Sequence, residues 1–160
     1  MSDVRMYVHA VWAVKKRYPL LEESKRTELF VHILETAKEK NIQIKAINGH
    51  DDHVHCLIKL GSVQSISEVT QHLKGESSCW ANEKNLFEKR LTWAKGYYAR
   101  SVDEHNIYIV KKYIAGQHKH KNPPDGFREG QVKDYLDRIA GNGTNKDNQR
   151  QAGNSTDKHV

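Results

Sequence analysis

The chain has 160 residues and a formal charge of +6, from 26 Lys plus Arg against 20 Asp plus Glu, which is the size of one domain, or two at the outside. No apolar run approaches the ~18 residues a membrane span requires. The N-terminus lacks the basic-apolar-small order of a secretory signal, and the lone Cys56 and Cys79 offer neither a disulfide framework nor a paired-thiol metal site. The composition therefore describes a basic cytoplasmic protein with no membrane partner. Its charge favours an acidic ligand, most often nucleic acid.

Residues 6–14 (MYVHAVWAV) are β-branched and aromatic and end in the basic run Lys15, Lys16, Arg17, the pattern of a buried strand with an exposed end. Over 22–40, Phe30, Ile33, Leu34 and Ala37 recur at helical spacing. Residues 42–47 and 53–60 read as strands joined by the turn-rich Asn48-Gly49-His50-Asp51-Asp52. A second helix opens at Ser65, with Glu68 completing a capping box, and turns Ile66, Val69, Leu73 and Trp80 inward. Residues 93–102 form a fourth predicted strand. A third helix over 102–118 follows a second capping-box pattern, Ser101 with Glu104, and stops at Asn122-Pro123-Pro124.

A short amphipathic segment carries Val132, Leu136 and Ile139, with Gly141 as a C-terminal cap. The folded domain is thus assigned to 1–140. Residues 141–160 hold almost nothing apolar and are predicted to be a disordered polar tail. The order β-α-β-β-α-β-α predicts an α+β fold, a ferredoxin-like sandwich with a mainly antiparallel four-stranded sheet and helices on one face. That fold hosts many functions, so function has to be argued from a site.

Two groups of residues could carry chemistry. On a strand, His53 and His55 share one face while Val54 points to the other, so the two imidazoles form half of a preorganised metal site. Asp51 and Asp52 just upstream are candidates to fix the ring tautomers. Spacing alone does not distinguish ligands from a pair of surface histidines. Ten His in 160 residues produce about 0.6 such pairs by chance, and His118-Lys119-His120 is a second example. In the third helix, Tyr113 and Gln117 lie one turn apart on one face, beside the apolar stripe Ile107, Val110, Ile114. By itself, such a tyrosine is equally an amphipathic core-edge residue.

Taken together the two groups describe a device. A divalent cation held by two imidazoles and an amide oxygen keeps positions open for a phosphate, and Tyr113 could then attack phosphorus, leaving a phosphotyrosine and a free 3′-hydroxyl. Storing the bond energy in that link permits strand transfer without ATP.

The stretch Gly49-His50-Asp51-Asp52-His53-Val54-His55-Cys56-Leu57-Ile58 resembles the His-hydrophobe-His (HUH) strand of the single-tyrosine transposases of the smallest bacterial insertion sequences, the insertion sequence 200/605 type. Gly96-Tyr97-Tyr98-Ala99-Arg100-Ser101-Val102 and Tyr113-Ile114-Ala115-Gly116-Gln117 are similar to that family's last strand and nucleophile helix, and Val11-Trp12-Ala13-Val14-Lys15-Lys16-Arg17 to its first strand. The resemblance implies a DNA transposase that cleaves and rejoins single-stranded DNA at hairpin-marked ends through a 5′-phosphotyrosine, using Mg²⁺ or Mn²⁺. It further implies a homodimer in which each tyrosine helix completes a site with the other subunit's histidines. Carried over by position, His53, His55 and Gln117 are metal ligands and Tyr113 is the nucleophile.

Lys15, Lys16, Arg17, Lys111, Lys112, Lys119 and Lys121 then become candidates to hold the DNA backbone. For each, a solvated face is the competing reading. Trp80, Trp93, Tyr97 and Tyr98 could stack bases, with a place in the core as the alternative for the two tryptophans. Cys56 points to the face opposite His55. The other functions kept open are a domesticated HUH nickase acting on repeated hairpins, a replication-initiator or relaxase-like nickase, and a non-catalytic nucleic-acid-binding module of the same fold. A zinc hydrolase is disfavoured, because no third ligand or general base stands at a typical spacing.

Overall fold

Strand β1, Met6–Ala13, is flanked on both sides by other strands. In the computed structural model, which describes residues 1–117, the chain continues through helix α1 (Glu23–Glu39), strands β2 (Gln43–Gly49) and β3 (His53–Leu60), and helix α2 (Ile66–Glu83). Strand β4 (Tyr98–Val102) and helix α3 (Ile107–Ala115) follow. The four strands form one antiparallel sheet in the order β2-β3-β1-β4, which is the ferredoxin-like arrangement.

Alternation along the strands divides the sheet into two faces. Ala10, Trp12, Val54, Cys56, Ile58 and Leu60 face α1 and α2 and build the main core with Leu29, Phe30, Ile33, Val69 and Leu73. The two helices of the sandwich thus cover one face, as predicted. The third helix lies across the other face, where Val110, Tyr113 and Ile114 pack on Leu57, with Tyr7, Ala46, Val102 and Ile107 at the margin. Cys56 is fully buried away from the histidines, and burial pushes its thiol pKa up.

Several predicted details shift. In α1 the buried stripe runs through Arg26, Leu29, Phe30, Ile33, Thr36 and Ala37, and Leu34 lies off it, 39% exposed. In α2 the predicted cap is present, with Ser65 Oγ accepting from Glu68 N at 3.1 Å. Val69 and Leu73 are buried, whereas Trp80 is half-buried and stacks flat on His32 with ring centroids 4.1 Å apart. Trp93 enters the core, edge-on to Trp12.

The fourth strand is shorter than the predicted 93–102. Only an isolated bridge joins Trp93 to Val14, and Gly96 takes φ +81°, a left-handed conformation that interrupts a strand and suits glycine. Lys74 Nζ donates to the carbonyls of Ala94 and Gly96 at 2.9 and 2.8 Å and holds the interruption in place. The second predicted capping box is also displaced. Ser101 is still in β4, and Asp103 caps instead, its side chain accepting from His105 N at 2.8 Å above a short 3-10 turn, Glu104–Asn106. Gly116 is the C-terminal cap of α3 and not an interior residue. The predicted Pro stop, the amphipathic segment, Gly141 and the polar tail lie outside the described residues.

The hairpin joining β2 to β3 sets the position of the histidines. Gly49 sits opposite Val54, and His50 N donates to His53 O at 3.0 Å. A Cβ on Gly49 would collide with the His53 carbonyl oxygen, so a side chain there forces the backbone of the His53 strand to move. Gly49→Ala should therefore lower stability by about 1–3 kcal/mol. Urea unfolding would measure it, and an unchanged midpoint would show that the approach is not this tight.

Candidate active site

The antiparallel register of β1 and β3 aligns Val11 with His55 and Ala13 with His53. His53 and His55 therefore share the α3 face of the sheet, as the alternation requires, with ring centroids 5.0 Å apart. Both are buried, at 4% and 0% exposure. The buried side of α3 delivers Tyr113 to the same place. Its ring meets His55 edge-on at 5.6 Å and is itself buried. Gln117 follows one turn later, just beyond the helix, and is also buried. The structure thus gathers His53, His55 and Tyr113 on one side of the sheet, and Gln117 is buried one turn after Tyr113.

The helix is fastened to its own sheet. Asn48, the residue of β2 aligned with His55, donates from Nδ2 to Ala115 O at 3.1 Å. That bond satisfies one of the carbonyls left open at the helix end. In the single chain, then, the tyrosine meets histidines of the same chain. The resemblance instead implies a tyrosine supplied by a second copy, and the apolar patch around Leu57 is what makes the intrachain arrangement possible.

Each histidine is held through Nδ1. His53 Nδ1 lies 2.6 Å from Asp52 Oδ1. Asp52 Oδ2 in turn accepts from Nε and Nη2 of Arg17, each at 2.9 Å. Burial, the largest single influence, would raise the Asp52 pKa, but His53 and Arg17 together outweigh it and hold the carboxyl below its usual range. Of the two aspartates considered from sequence, Asp52 is the one that reaches His53, while Asp51 Oδ1 lies 3.0 Å from His50 Nδ1.

Arg17 is positioned by a tight turn after β1, where Lys16 and Arg17 take φ values of 58° and 52°, a left-handed conformation that is strained for non-glycine residues. Its guanidinium is thereby committed to Asp52, whereas Lys15, Lys16, Lys111 and Lys112 are exposed. Lys119 and Lys121 lie outside the described residues. Of the four aromatics considered for base stacking, Tyr98 is buried beside His9, at 6.0 Å between ring centroids, and Tyr97 and Trp80 are half-buried against the core.

One residue of the site was not singled out from sequence. His9, only 3% exposed, places Nε2 at 2.9 Å from His55 Nδ1, and the two rings stack at 5.1 Å. The signal was present, since His9 interrupts an apolar strand at a position in phase with Val11, but only the strand pairing shows that Val11 faces His55. Burial holds the His9 pKa down to about 4. Burial, assisted by the charges of His53 and His9, drives that of His55 well below its ordinary value. Both rings are therefore neutral near pH 7.

Among the described residues no cluster of three or more His, Cys, Asp or Glu is arranged to hold a metal ion. The donor set available is two imidazoles and one amide, and it fits a divalent cation on one specific observation. His55 Nε2 is buried with no hydrogen-bond partner among the described residues, so its lone pair is compatible with a metal-ligand role.

Known proteins share this architecture. A crystal structure of a Deinococcus radiodurans R1 protein assigned as a transposase superposes with a TM-score of 0.58 at 22% identity, over 73% of this chain and 94% of the other. A REP-associated tyrosine transposase bound to a REP hairpin superposes with a TM-score of 0.55 at 15% identity, over 72% of each chain. At these identities the likeness establishes a fold class, the ferredoxin-like α+β domain. The family follows from sequence: the chain belongs to the IS200-like transposases, whose family model matches residues 2–117. It is also 27% identical over 115 residues to the ISDra2 transposase TnpA of Deinococcus radiodurans, across 69% of this chain and 82% of the relative. No helix among the described residues is long and apolar enough to cross a membrane.

Two buried neutral histidines make stability depend on pH. In the unfolded chain each gains its proton near the ordinary value of 6.5, whereas folded His9 does so only near 4. Between these values the unfolded state holds more protons, so stability is fully present above about pH 6.5 and falls as the pH drops. The expected slope is about 1.4 kcal/mol per pH unit for each histidine. Urea unfolding of the metal-free protein between pH 7 and 4.5 should show this fall, and His9→Phe should make it shallower. An identical slope in the variant would mean that His9 is not buried neutral.

Proposed function

We propose that this protein is a metal-dependent single-stranded DNA endonuclease and strand transferase, acting at hairpin-marked element ends through a 5′-phosphotyrosine. The observation that carries the reading is the contact of Tyr113 with His55, whose Nε2 is buried and meets no hydrogen-bond partner among the described residues. Membership of a transposase family and the fold shared with a hairpin-bound tyrosine transposase support the substrate class.

His53, His55 and Gln117 would hold Mg²⁺ or Mn²⁺, which when bound polarises the scissile phosphate and offsets charge on its oxygens. Tyr113 supplies the nucleophile. Its oxygen forms a bond to phosphorus as the bond to the 3′-oxygen breaks, the phenol loses its proton, and the departing oxygen takes one up as a 3′-hydroxyl. Attack of a 3′-hydroxyl on the phosphotyrosine reverses the step and joins a new strand. Asp52 keeps His53 oriented, and Arg17 keeps Asp52 ionised and in place. Burial of Tyr113 in the free protein means that α3 has to shift for DNA to enter.

The exposed Lys15, Lys16, Lys111 and Lys112 border this face and would hold the DNA backbone, with Lys119 in the same role. Their contribution is expected to fall steeply with salt. A homodimer with shared sites belongs to the same proposal, and in it each α3, which the single chain holds on its own sheet, would cross to the histidines of the other copy. The outer side of α3 exposes Tyr108 and Ile109, at 73% and 38%, apolar surface that a second copy would cover. Acting on DNA, the protein would work in the cytoplasm.

The test is a covalent-adduct assay. Labelled single-stranded oligonucleotides carrying the hairpins that flank the gene are incubated with protein and Mn²⁺, then resolved on a denaturing gel. A shifted band is expected. It should fall by on the order of 10³-fold or more with Tyr113→Phe and vanish with a chelator, while hairpin binding by the variant persists. Binding without any band in the wild-type protein would replace the enzyme with a nucleic-acid-binding module.

A further inference from the structure

The side chain that holds His55 is not part of the His-hydrophobe-His strand. His9 comes from β1, where it is aligned with Leu57 on one side and Arg100 on the other. It is therefore the diagonal neighbour of His55, at a separation that ring-sized side chains can bridge. It is 3% exposed, and its ring is enclosed by Tyr98 at 6.0 Å, Tyr113 at 6.1 Å and His55 at 5.1 Å. A polar ring buried this deeply is costly unless it is hydrogen-bonded, and its Nε2 meets His55 Nδ1 at 2.9 Å.

We propose that His9 is a positioning residue that locks His55 in the Nδ1–H tautomer, so that the buried Nε2 presents a lone pair to a divalent cation. The inference rests on the metal-site reading above and goes beyond it, because it assigns a role to a residue outside the ligand set. The logic is proton counting. One proton lies between the two nitrogens in their hydrogen bond. If His9 supplied it, the neutral His55 ring would carry its own proton on Nε2, where it could not bind a metal and where it meets no acceptor among the described residues. If His55 supplies it, Nε2 is a free lone pair.

A neutral imidazole can accept through its unprotonated nitrogen, and His9 Nε2 is the atom facing His55 Nδ1. The arrangement parallels the one at His53, where a carboxylate oxygen fills the same role at Nδ1. The two ligands thus differ in the support behind them, one anionic and one neutral, and the neutral support adds no net charge to the buried pocket. Partners of this kind fix ring orientation, and their loss typically weakens metal affinity by about 10- to 100-fold.

The experiment uses the full 160-residue chain. Two-bond proton–nitrogen spectra of ¹⁵N-histidine-labelled, metal-free protein report the tautomer of His55, assigned by difference against His55→Gln. Titration with Mn²⁺ alone reports affinity. Wild-type His55 should carry its proton on Nδ1. His9→Phe, which keeps a ring but accepts nothing, should move that proton to Nε2 and raise the Mn²⁺ dissociation constant by about 10- to 100-fold. His9→Gln, whose carbonyl can accept, should recover most of both.

A wild-type proton on Nε2 overturns the proposal, as does a Phe variant with unchanged tautomer and affinity. If His9→Phe does not fold, the wild-type spectrum and His9→Gln decide in the same way. A wild-type protein that binds no Mn²⁺ would overturn the metal-site reading together with this one, whereas Mn²⁺ binding that ignores His9 would overturn this one alone.

Discussion

The molecule depends on the register between its two central strands. Because side chains alternate with a period of two, pairing Val11 with His55 and Trp12 with Val54 settles both faces at once. Trp12, Val54 and Cys56 enter the main core, while His9, His53 and His55 meet on the other side. A one-residue slip of β1 would drive His9 into the apolar layer under α1 and α2 and take Trp12 out of it, and a slip of β3 would bury His53 and His55 there instead. The apolar layer is therefore what enforces the geometry of the polar one. On the other edge of β3, the close approach of Gly49 to the His53 carbonyl constrains the separate pairing of β2 with β3.

Placing polar groups inside a fold has a cost, and this site meets it by pairing. Asp52 serves His53 on one oxygen and Arg17 on the other, and His9 serves His55. Removing one member of such a pair leaves its partner buried and unsatisfied, which costs more than the bond itself contributes. The exception is His55 Nε2, which no side chain among the described residues meets.

The third helix is held differently. Nine residues are too few for a helix to persist alone in water, so its position comes from the patch formed by Leu57, Val110, Tyr113 and Ile114 and from the Asn48 bond to its last carbonyl. Tyr113 belongs to that patch as well as to the site. The residue proposed to act on DNA is thus also part of what holds the helix on the sheet. The lysines on the outer surface of α3 are already in solvent and need no rearrangement.

Much of this was legible in the chain itself. Period-two and period-3.6 apolar patterns marked the four strands and three helices, and local spacing put His53 with His55 and Tyr113 with Gln117, because side-chain direction within one element depends only on that element's geometry. Local rules failed where a tertiary contact overrode them. Gly96 and Lys74 cut the fourth strand short, and Asp103 took over the cap predicted for Ser101. Arg17 looked like a free cation at a strand end and proved to be tied to Asp52. His9 lay in plain view, yet its meaning depended on which residue of another strand stood across from it. Sequence determined the elements, their faces and the family, since these follow from near neighbours along the chain. Only the tertiary structure decided that α3 crosses the histidine face and that His9 stands behind His55, because both depend on pairings between residues more than forty positions apart.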